Sequence, residues 1–303
     1  VIYRKWRVRQ CDLEEEKMEQ DQLTPTQAVV LGLVEGITEY LPVSSTGHLV
    51  LASEFMGLND PDHTSANKIE AVKSFEIVIQ FGAIIAVLFL YRHYVADMLR
   101  GCVGKSKSGI KLLLNTIAAF IPTAVIGLTL KGIIKEHLQS TMPVIFALIA
   151  GGAFMIAFAR SRIAKESVSA GKTIYDLTMA QAVILGVIQS LALWPGTSRS
   201  MVTIVGGIFL GLSAVAAAEF SFILGLATLT AASLYSFYKE GGGIVQEIGV
   251  PAILIGLFTA AVSAGVAVRW LVGFLNRKGL AHFGWYRIAL GLALLVVFRD
   301  LIA

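Results

Sequence analysis

Six apolar runs, at roughly 74–92, 110–131, 142–160, 214–238, 248–272 and 282–302, are each long enough to cross a bilayer as a helix, which takes about twenty residues. A chain with so many spans has few ways to fold. Lipid offers no partners to backbone N–H and C=O groups, so the crossings must be helices that satisfy those groups internally. Composition agrees: 55% of the 303 residues are hydrophobic and 15% are charged, against roughly 25% charged in soluble domains. Mean hydropathy is +0.72. The expected fold class is an all-α polytopic membrane protein. The net charge is only +4 and the basic residues cluster in short linkers, which reads as a topology signal and not as a nucleic-acid surface.

Four further apolar stretches, 24–41, 45–57, 178–193 and 198–211, are too short or too interrupted to cross alone. They form two pairs, each broken at its middle by proline, glycine and hydroxyl residues: LPVSSTG in one and WPGTSRS in the other. Irregular backbone at membrane depth survives only when buried in protein or lining a wet cavity. Each pair is therefore expected to be a re-entrant helical hairpin; a full span with a kink is the alternative. Basic linkers follow the first, third and fifth long runs (Arg92, Arg100, Lys105, Lys107 and Lys111; Arg160, Arg162, Lys165 and Lys172; Arg269, Arg277 and Lys278). Basic loops favour the cytoplasm. Six crossings then place both termini outside, with the first hairpin entering from outside and the second from the cytoplasm. Residues 1–22 lack the apolar core of a cleavable signal. This polar tail is expected to be an appendage, with Met18 as an original start. Cys11 and Cys102 have no metal-ligand neighbours and are not expected to pair.

The segment QAVVLGLVEG (27–36) resembles QAVILGVIQS (181–190), with five identities in the first six positions. Each copy is followed by a proline–hydroxyl break, a second short helix and a long span bearing one acidic residue, Glu76 or Glu219. The expected organisation is thus repeat 1 over 23–160 and repeat 2 over 161–303, each with one hairpin and three spans. Three crossings are an odd number, so the second copy lies inverted relative to the first. Inverted repeats place their broken helices, and the site these build, at the interface between halves.

The first break reads EGITEYLPVSSTGH over 35–48. Glu35 and Glu39 are four apart and project from one helix face, where two carboxylates repel unless a cation or a shared proton lies between them. Ionisable groups inside spans are costly and point to function; hard divalent cations such as Mg²⁺ favour carboxylate and phosphate oxygens. A protonated glutamate tying helices together is the plainer alternative. Ser44, Ser45 and Thr46 stand where the next helix begins, where hydroxyls cap free N–H groups and anions are attracted. His48 lies one turn beyond Ser45 and is the only histidine of five expected within an apolar segment. It suits either acid–base work or a buried hydrogen bond.

The second break, WPGTSRSMVT (194–203), bends at Pro195 and Gly196, offers Ser198 and Ser200, and puts the guanidinium of Arg199 at a helix start. Arginine presents a planar fork of donors suited to phosphate oxygens; a structural bridge to a glutamate is the alternative. One break supplies acids and nucleophiles, the other anion recognition. That division suggests phosphoryl chemistry on a molecule reached from the membrane. It requires Arg199 to confront Glu39 and Ser45 in space.

E-G-I-T-E (35–39), L-P-V-S-S-T-G-H (41–48) and P-G-T-S-R-S (195–200) resemble the signature motifs of the bacterial undecaprenyl-diphosphatase family, the bacitracin-resistance phosphatases. The likeness runs from about residue 24 to the carboxyl terminus. It implies hydrolysis of undecaprenyl diphosphate to the monophosphate carrier used in wall synthesis, and bacitracin resistance, since the drug sequesters that substrate. It also implies dependence on a divalent cation, Mg²⁺ or Ca²⁺, a homodimer, and a site in the bacterial plasma membrane facing the periplasm or exterior. Carried over by motif, Glu35 and Glu39 match the acidic, metal-binding pair and Ser45 the nucleophile. His48 closes the first motif; Gly196, Ser198, Arg199, Ser200 and Thr203 match the second, and Thr46 joins the substrate contacts. Type 2 phosphatidic-acid phosphatases also carry short SGH and SR motifs but need a histidine shortly after the arginine. Here none follows Arg199 until His282. An inverted-repeat transporter or flippase for a lipid phosphate is the rival from another class.

Overall fold

Helix α1 (Pro25–Thr38) starts with a capping box: Thr24 Oγ1 accepts from the Gln27 N–H, and the Gln27 side chain accepts from the Thr24 N–H. With proline at its first position, this defines the helix start. Helix α2 (Ser45–Phe55) follows after a break. The long α3 (Ala66–Leu90) leads to the short α4 (Arg92–Cys102), then α5 (Lys107–His137), α6 (Thr141–Ala159) and α7 (Arg162–Ser169). After a 3₁₀ turn at Ile174–Asp176 come α8 (Met179–Gln189), a second 3₁₀ turn at Ser190–Leu193, and α9 (Arg199–Phe209). Helices α10 (Ala214–Glu240), α11 (Val250–Lys278) and α12 (Ala281–Val297) complete the order. The computed structural model describes residues 23–58, 66–138, 140–169, 171–240 and 248–298; the tail, Cys11 and His63 lie outside them.

The all-helical, polytopic fold class stands. Among the described residues, α3, α5, α6, α10 and α11 are long and apolar enough to cross a membrane. The sixth expected span, α12, has 17 residues, and the predicted end of that run at 302 lies outside the described residues. Several boundaries move outward for one reason. α3 begins at Ala66 and α11 continues to Lys278, because a helix extends past its apolar run when charged ends reach the headgroup layer. Two basic stretches read as linkers are helices. α4 buries Tyr94, Met98 and Gly101 on one face and exposes Arg92, His93 and Arg100, the pattern of a helix lying along an interface. Cys102 ends it, free and exposed.

The two broken pairs share their local geometry. Thr178 and Gln181 form the same capping box at α8 that Thr24 and Gln27 form at α1. Each second helix starts after a serine in left-handed backbone, Ser44 at φ 72° and Ser198 at φ 72°. With 14, 11, 11 and 11 residues, none of these helices reaches about 30 Å at 1.5 Å per residue. Each pair rests on a long helix from the other half of the chain, α1 on α11 and α8 on α5. α1 packs on α11 so closely that a Cβ at Gly32 would lie 2.6 Å from the Gly256 carbonyl oxygen. Small residues allow such approach where lipid supplies no hydrophobic drive. α6 and α12 meet in the same way, a Cβ at Gly152 falling 2.7 Å from the Gly284 carbonyl.

Candidate active site

Glu39 caps the carboxyl end of α1, where its N–H still bonds to the Glu35 carbonyl. The residue is 8% exposed and both side-chain oxygens are engaged. Oε2 accepts from Ser45 Oγ at 2.8 Å, and Oε1 accepts from Arg199 Nη2 at 3.3 Å. The convergence required by the two motifs is present. Arg199 opens α9; its Nη1 donates to the Ser221 carbonyl at 2.9 Å, and its guanidinium lies 5.1 Å from the Tyr40 ring centroid. Its Nε is buried and has no partner, so one donor of the fork stays free.

The other second-break residues knit this loop to the first. Ser200 Oγ donates to the Leu41 carbonyl at 2.7 Å and lies 3.0 Å from Ser198 Oγ. Ser198 Oγ accepts from the Met201 N–H, an amino-terminal cap. Thr203 Oγ1 donates to the Arg199 carbonyl and lies 2.6 Å from Ser221 Oγ. Ser200 and Thr203 are fully buried, so their hydroxyls brace Arg199 from behind. Gly196 takes φ +90°, and a Cβ there would lie 2.5 Å from the Val144 carbonyl; only glycine fits. Thr46 is exposed at the start of α2.

Glu35, one turn before Glu39, is 1% exposed. The Gln80 side chain lies beside it, and Gln80 Oε1 accepts from Ser233 Oγ at 3.0 Å. Glu35 Oε1 remains buried without a partner. No cluster of three or more metal-ligating His, Cys, Asp or Glu side chains occurs among the described residues. Two carboxylates, one with an orphaned oxygen, nonetheless fit Mg²⁺, which usually takes one or two carboxylates and fills its shell with water and substrate phosphate.

His48 turns away from the glutamates. Its Nδ1 lies 2.7 Å from the Ser44 carbonyl, which can only accept, so Nδ1 carries the hydrogen; Nε2, 2.7 Å from Tyr286 Oη, accepts from that hydroxyl. The proton of Ser45 therefore faces Glu39. Two cavities flank the constellation. One, of about 590 Å³, has Arg199 and Gln189 in its wall together with Thr123, Lys131 and Tyr235. The other, of about 900 Å³, is mostly apolar and runs from Thr38, Leu41 and His48 along α11 to Trp270 and Phe283. Sequence reasoning missed Gln80, Ser221, Tyr286 and Arg287. Arg287 carried a signal, being an ionisable residue within an apolar run, the rule that singled out Glu35 and Glu39.

Two broken helix pairs meeting around a buried carboxylate, a hydroxyl and a guanidinium define a polytopic membrane protein with a polar cluster between its helices. The family described as "Bacitracin resistance protein BacA" matches residues 28–293, which include every residue of this constellation, and the chain belongs to it. An undecaprenyl-diphosphatase of Sorangium cellulosum (strain So ce56) is 43% identical over 265 residues, 87% of this chain and 83% of that protein. The undecaprenyl-diphosphatase of Janthinobacterium sp. (strain Marseille) is 40% identical, covering 91% of this chain and 96% of its own. Undecaprenyl-diphosphatase 1 of Chromobacterium violaceum is 44% identical over 269 residues, with 88% and 94% covered.

Proposed function

We propose that the chain hydrolyses undecaprenyl diphosphate to undecaprenyl phosphate and inorganic phosphate, recycling the lipid carrier and conferring resistance to bacitracin. The observation that carries this reading is the chain Ser45–Glu39–Arg199, a hydroxyl, a base and a cation linked at 2.8 and 3.3 Å. Arg199 supplies its free Nε and its remaining N–H groups to the terminal phosphate, alongside Ser198 and the amino-terminal ends of α2 and α9, with Thr46 at the rim. Such helix starts attract phosphate. Gly196, Ser200 and Thr203 hold Arg199 in place for that contact.

Ser45 Oγ attacks the terminal phosphorus while its proton passes to Glu39 Oε2. The bond to the bridging oxygen breaks, and polyprenyl phosphate leaves. Water then cleaves the phosphoserine, releasing phosphate and restoring the Ser45 hydroxyl and the Glu39 carboxylate. Placement and charge stabilisation supply most of the rate in such transfers. His48, held by Ser44 and Tyr286, orients the start of α2. Glu35 and Glu39 would hold a divalent cation, Mg²⁺ or Ca²⁺, which would supply neutralisation of the phosphate charge.

The 590 Å³ cavity beside Arg199 lies between the carboxyl ends of α5 and α10, opposite the basic helix α4. By the charge rule this is the outer side, which supports access from the periplasm or exterior of a bacterial plasma membrane. The matching capping boxes and matching Ser44 and Ser198 backbones support two inverted repeats, 23–160 and 161–303. The working unit is a homodimer, to be checked by mass measurement in detergent. The deciding experiment is phosphate release from a polyprenyl diphosphate by purified protein. Metal-dependent turnover that is lost in Glu39→Gln and Arg199→Ala supports the reading. A folded protein without turnover would favour a carrier. Trapping labelled phosphate on Ser45 tests the covalent step, and no label under trapping conditions assigns the attack to water.

A further inference from the structure

Tyr286 and Arg287 are neighbours in the second turn of α12, and each reaches a different break. Tyr286 Oη donates to His48 Nε2 at 2.7 Å, 238 residues away in sequence. Arg287 Nη2 donates to the carbonyls of Gly196 and of Ala147 on α6, both at 2.9 Å. We propose that this pair is a clamp that sets the spacing of the two breaks, and through it the placement of Ser45 and Glu39 against Arg199. The inference rests on the phosphatase reading above and adds two positioning residues to it.

The structure goes to some length to keep the guanidinium there. Arg287 is 0% exposed, its Nε and Nη1 have no partner, and it forms no ion pair with a carboxylate among the described residues. An unpaired buried cation is destabilising, so packing alone does not explain an arginine at this position. Its neighbours make room for it: a Cβ at Gly151 would sit 2.5 Å from Arg287 Nη2. The platform is stiff, because α12 and α6 touch backbone to backbone at Gly152 and Gly284. Gly196, whose carbonyl is held, stands three residues before Arg199. Ser44, whose carbonyl takes the other nitrogen of His48, directly precedes Ser45. The line from α12 to each reacting group is therefore short and made of fixed hydrogen bonds.

The test uses full-length protein in detergent with Cys11→Ser and Cys102→Ser. Thr197→Cys reports on the second break through its rate of maleimide labelling. Arg287→Met is expected to speed that labelling severalfold, and Arg287→Lys to speed it less. In phosphate release, Arg287→Met is expected to act mainly on KM, and Arg287→Lys to recover part of the loss. Combined with Arg199→Lys, the Arg287→Met loss should fall short of the product of the single losses by at least about threefold, as for coupled neighbours. Tyr286→Phe, which removes one oxygen, should lower kcat/KM yet add nothing in a His48→Gln background. Multiplying effects with unchanged labelling would overturn the clamp while leaving the phosphatase intact. A wild type that releases no phosphate would sink the functional reading instead, and the labelling rates alone would then decide the clamp. Should Arg287→Met fail to fold, Arg287→Lys and Tyr286→Phe carry the same comparisons.

Discussion

Arg199 and Glu39, 160 residues apart in the chain, face each other at 3.3 Å in the interior of the helix bundle. Both side chains are nearly buried, at 11% and 6% exposure. Removing one partner of such a pair leaves an uncompensated charge, which costs about 3–5 kcal/mol. Arg199→Ala is expected to lower the melting temperature and to reduce phosphate release by about 100-fold or more, the scale for a preorganised donor. Glu39→Gln keeps the shape and should stay folded, while losing about 100- to 10,000-fold in rate as a base is removed. A melting curve beside each activity assay separates the two effects.

Ser44 and Ser198 share a left-handed φ of 72° but differ in their side chains. Ser198 caps the Met201 N–H, whereas Ser44 makes no cap bond. Ser44→Gly should therefore relieve strain and stabilise the protein by about 1 kcal/mol with activity retained. Ser198→Gly loses a cap that offsets the same gain. Thermal melts of the two variants should diverge by about 1 kcal/mol.

Gly196 combines φ +90° with a Val144 carbonyl 2.5 Å from any added Cβ. Gly196→Ala should cost about 1–3 kcal/mol. Because the Arg199 loop moves with it, substrate KM should rise more than kcat falls. Gly104, at φ +73° with open space around it, serves as the control: Gly104→Ala should cost about 1 kcal/mol and leave KM unchanged.

Chelation of divalent cations should abolish phosphate release, and Mg²⁺ or Ca²⁺ should restore it. Glu35→Gln is expected to raise the metal concentration for half-activity by at least about tenfold. An unchanged metal requirement in that variant would remove Glu35 from the cation site.

Asp97 on α4 accepts from Ser108 at 3.2 Å and from Tyr175 Oη at 3.1 Å. Hydrogen bonds from Ser106, then Tyr175 and Ser108, hold its carboxyl below the ordinary aspartate range against the opposing pull of desolvation. A depressed folded value stabilises the docking of α4 above the unfolded pKa, about 3.9, and the contribution is lost as pH falls through the folded value. Proteolysis near α4 should accelerate on acidification below about pH 4. Asp97→Asn should make the cleavage rate nearly independent of pH in that range.

Much of the molecule is legible in its sequence because lipid enforces simple rules. Long apolar runs had to be spans, and their charged ends only moved boundaries, as at Ala66 and Lys278. Glu35, Glu39, Ser45 and Arg199 stood out because polar groups at membrane depth need a reason. Helix α4 escaped notice since its basic residues imitate a linker, while its three buried positions carry too short a period to compete. His48 was read from Ser45, its neighbour along the helix; its partner, Tyr286, lies at the far end of the chain.

The sequence alone determined that this chain is a bundle of membrane helices with two broken pairs, and which polar residues stand at the breaks, because span length, helix breaking and the cost of buried charge are local properties. Only the tertiary structure decided that the Ser45 hydroxyl and Arg199 both meet Glu39, that Ser200 and Thr203 brace the second break, and that Tyr286 and Arg287 bond to both breaks at once. The contacts of Arg199 with Glu39, Ser200 with Leu41 and Tyr286 with His48 join segments more than a hundred residues apart; they are set by how helices pack, and no local pattern encodes them.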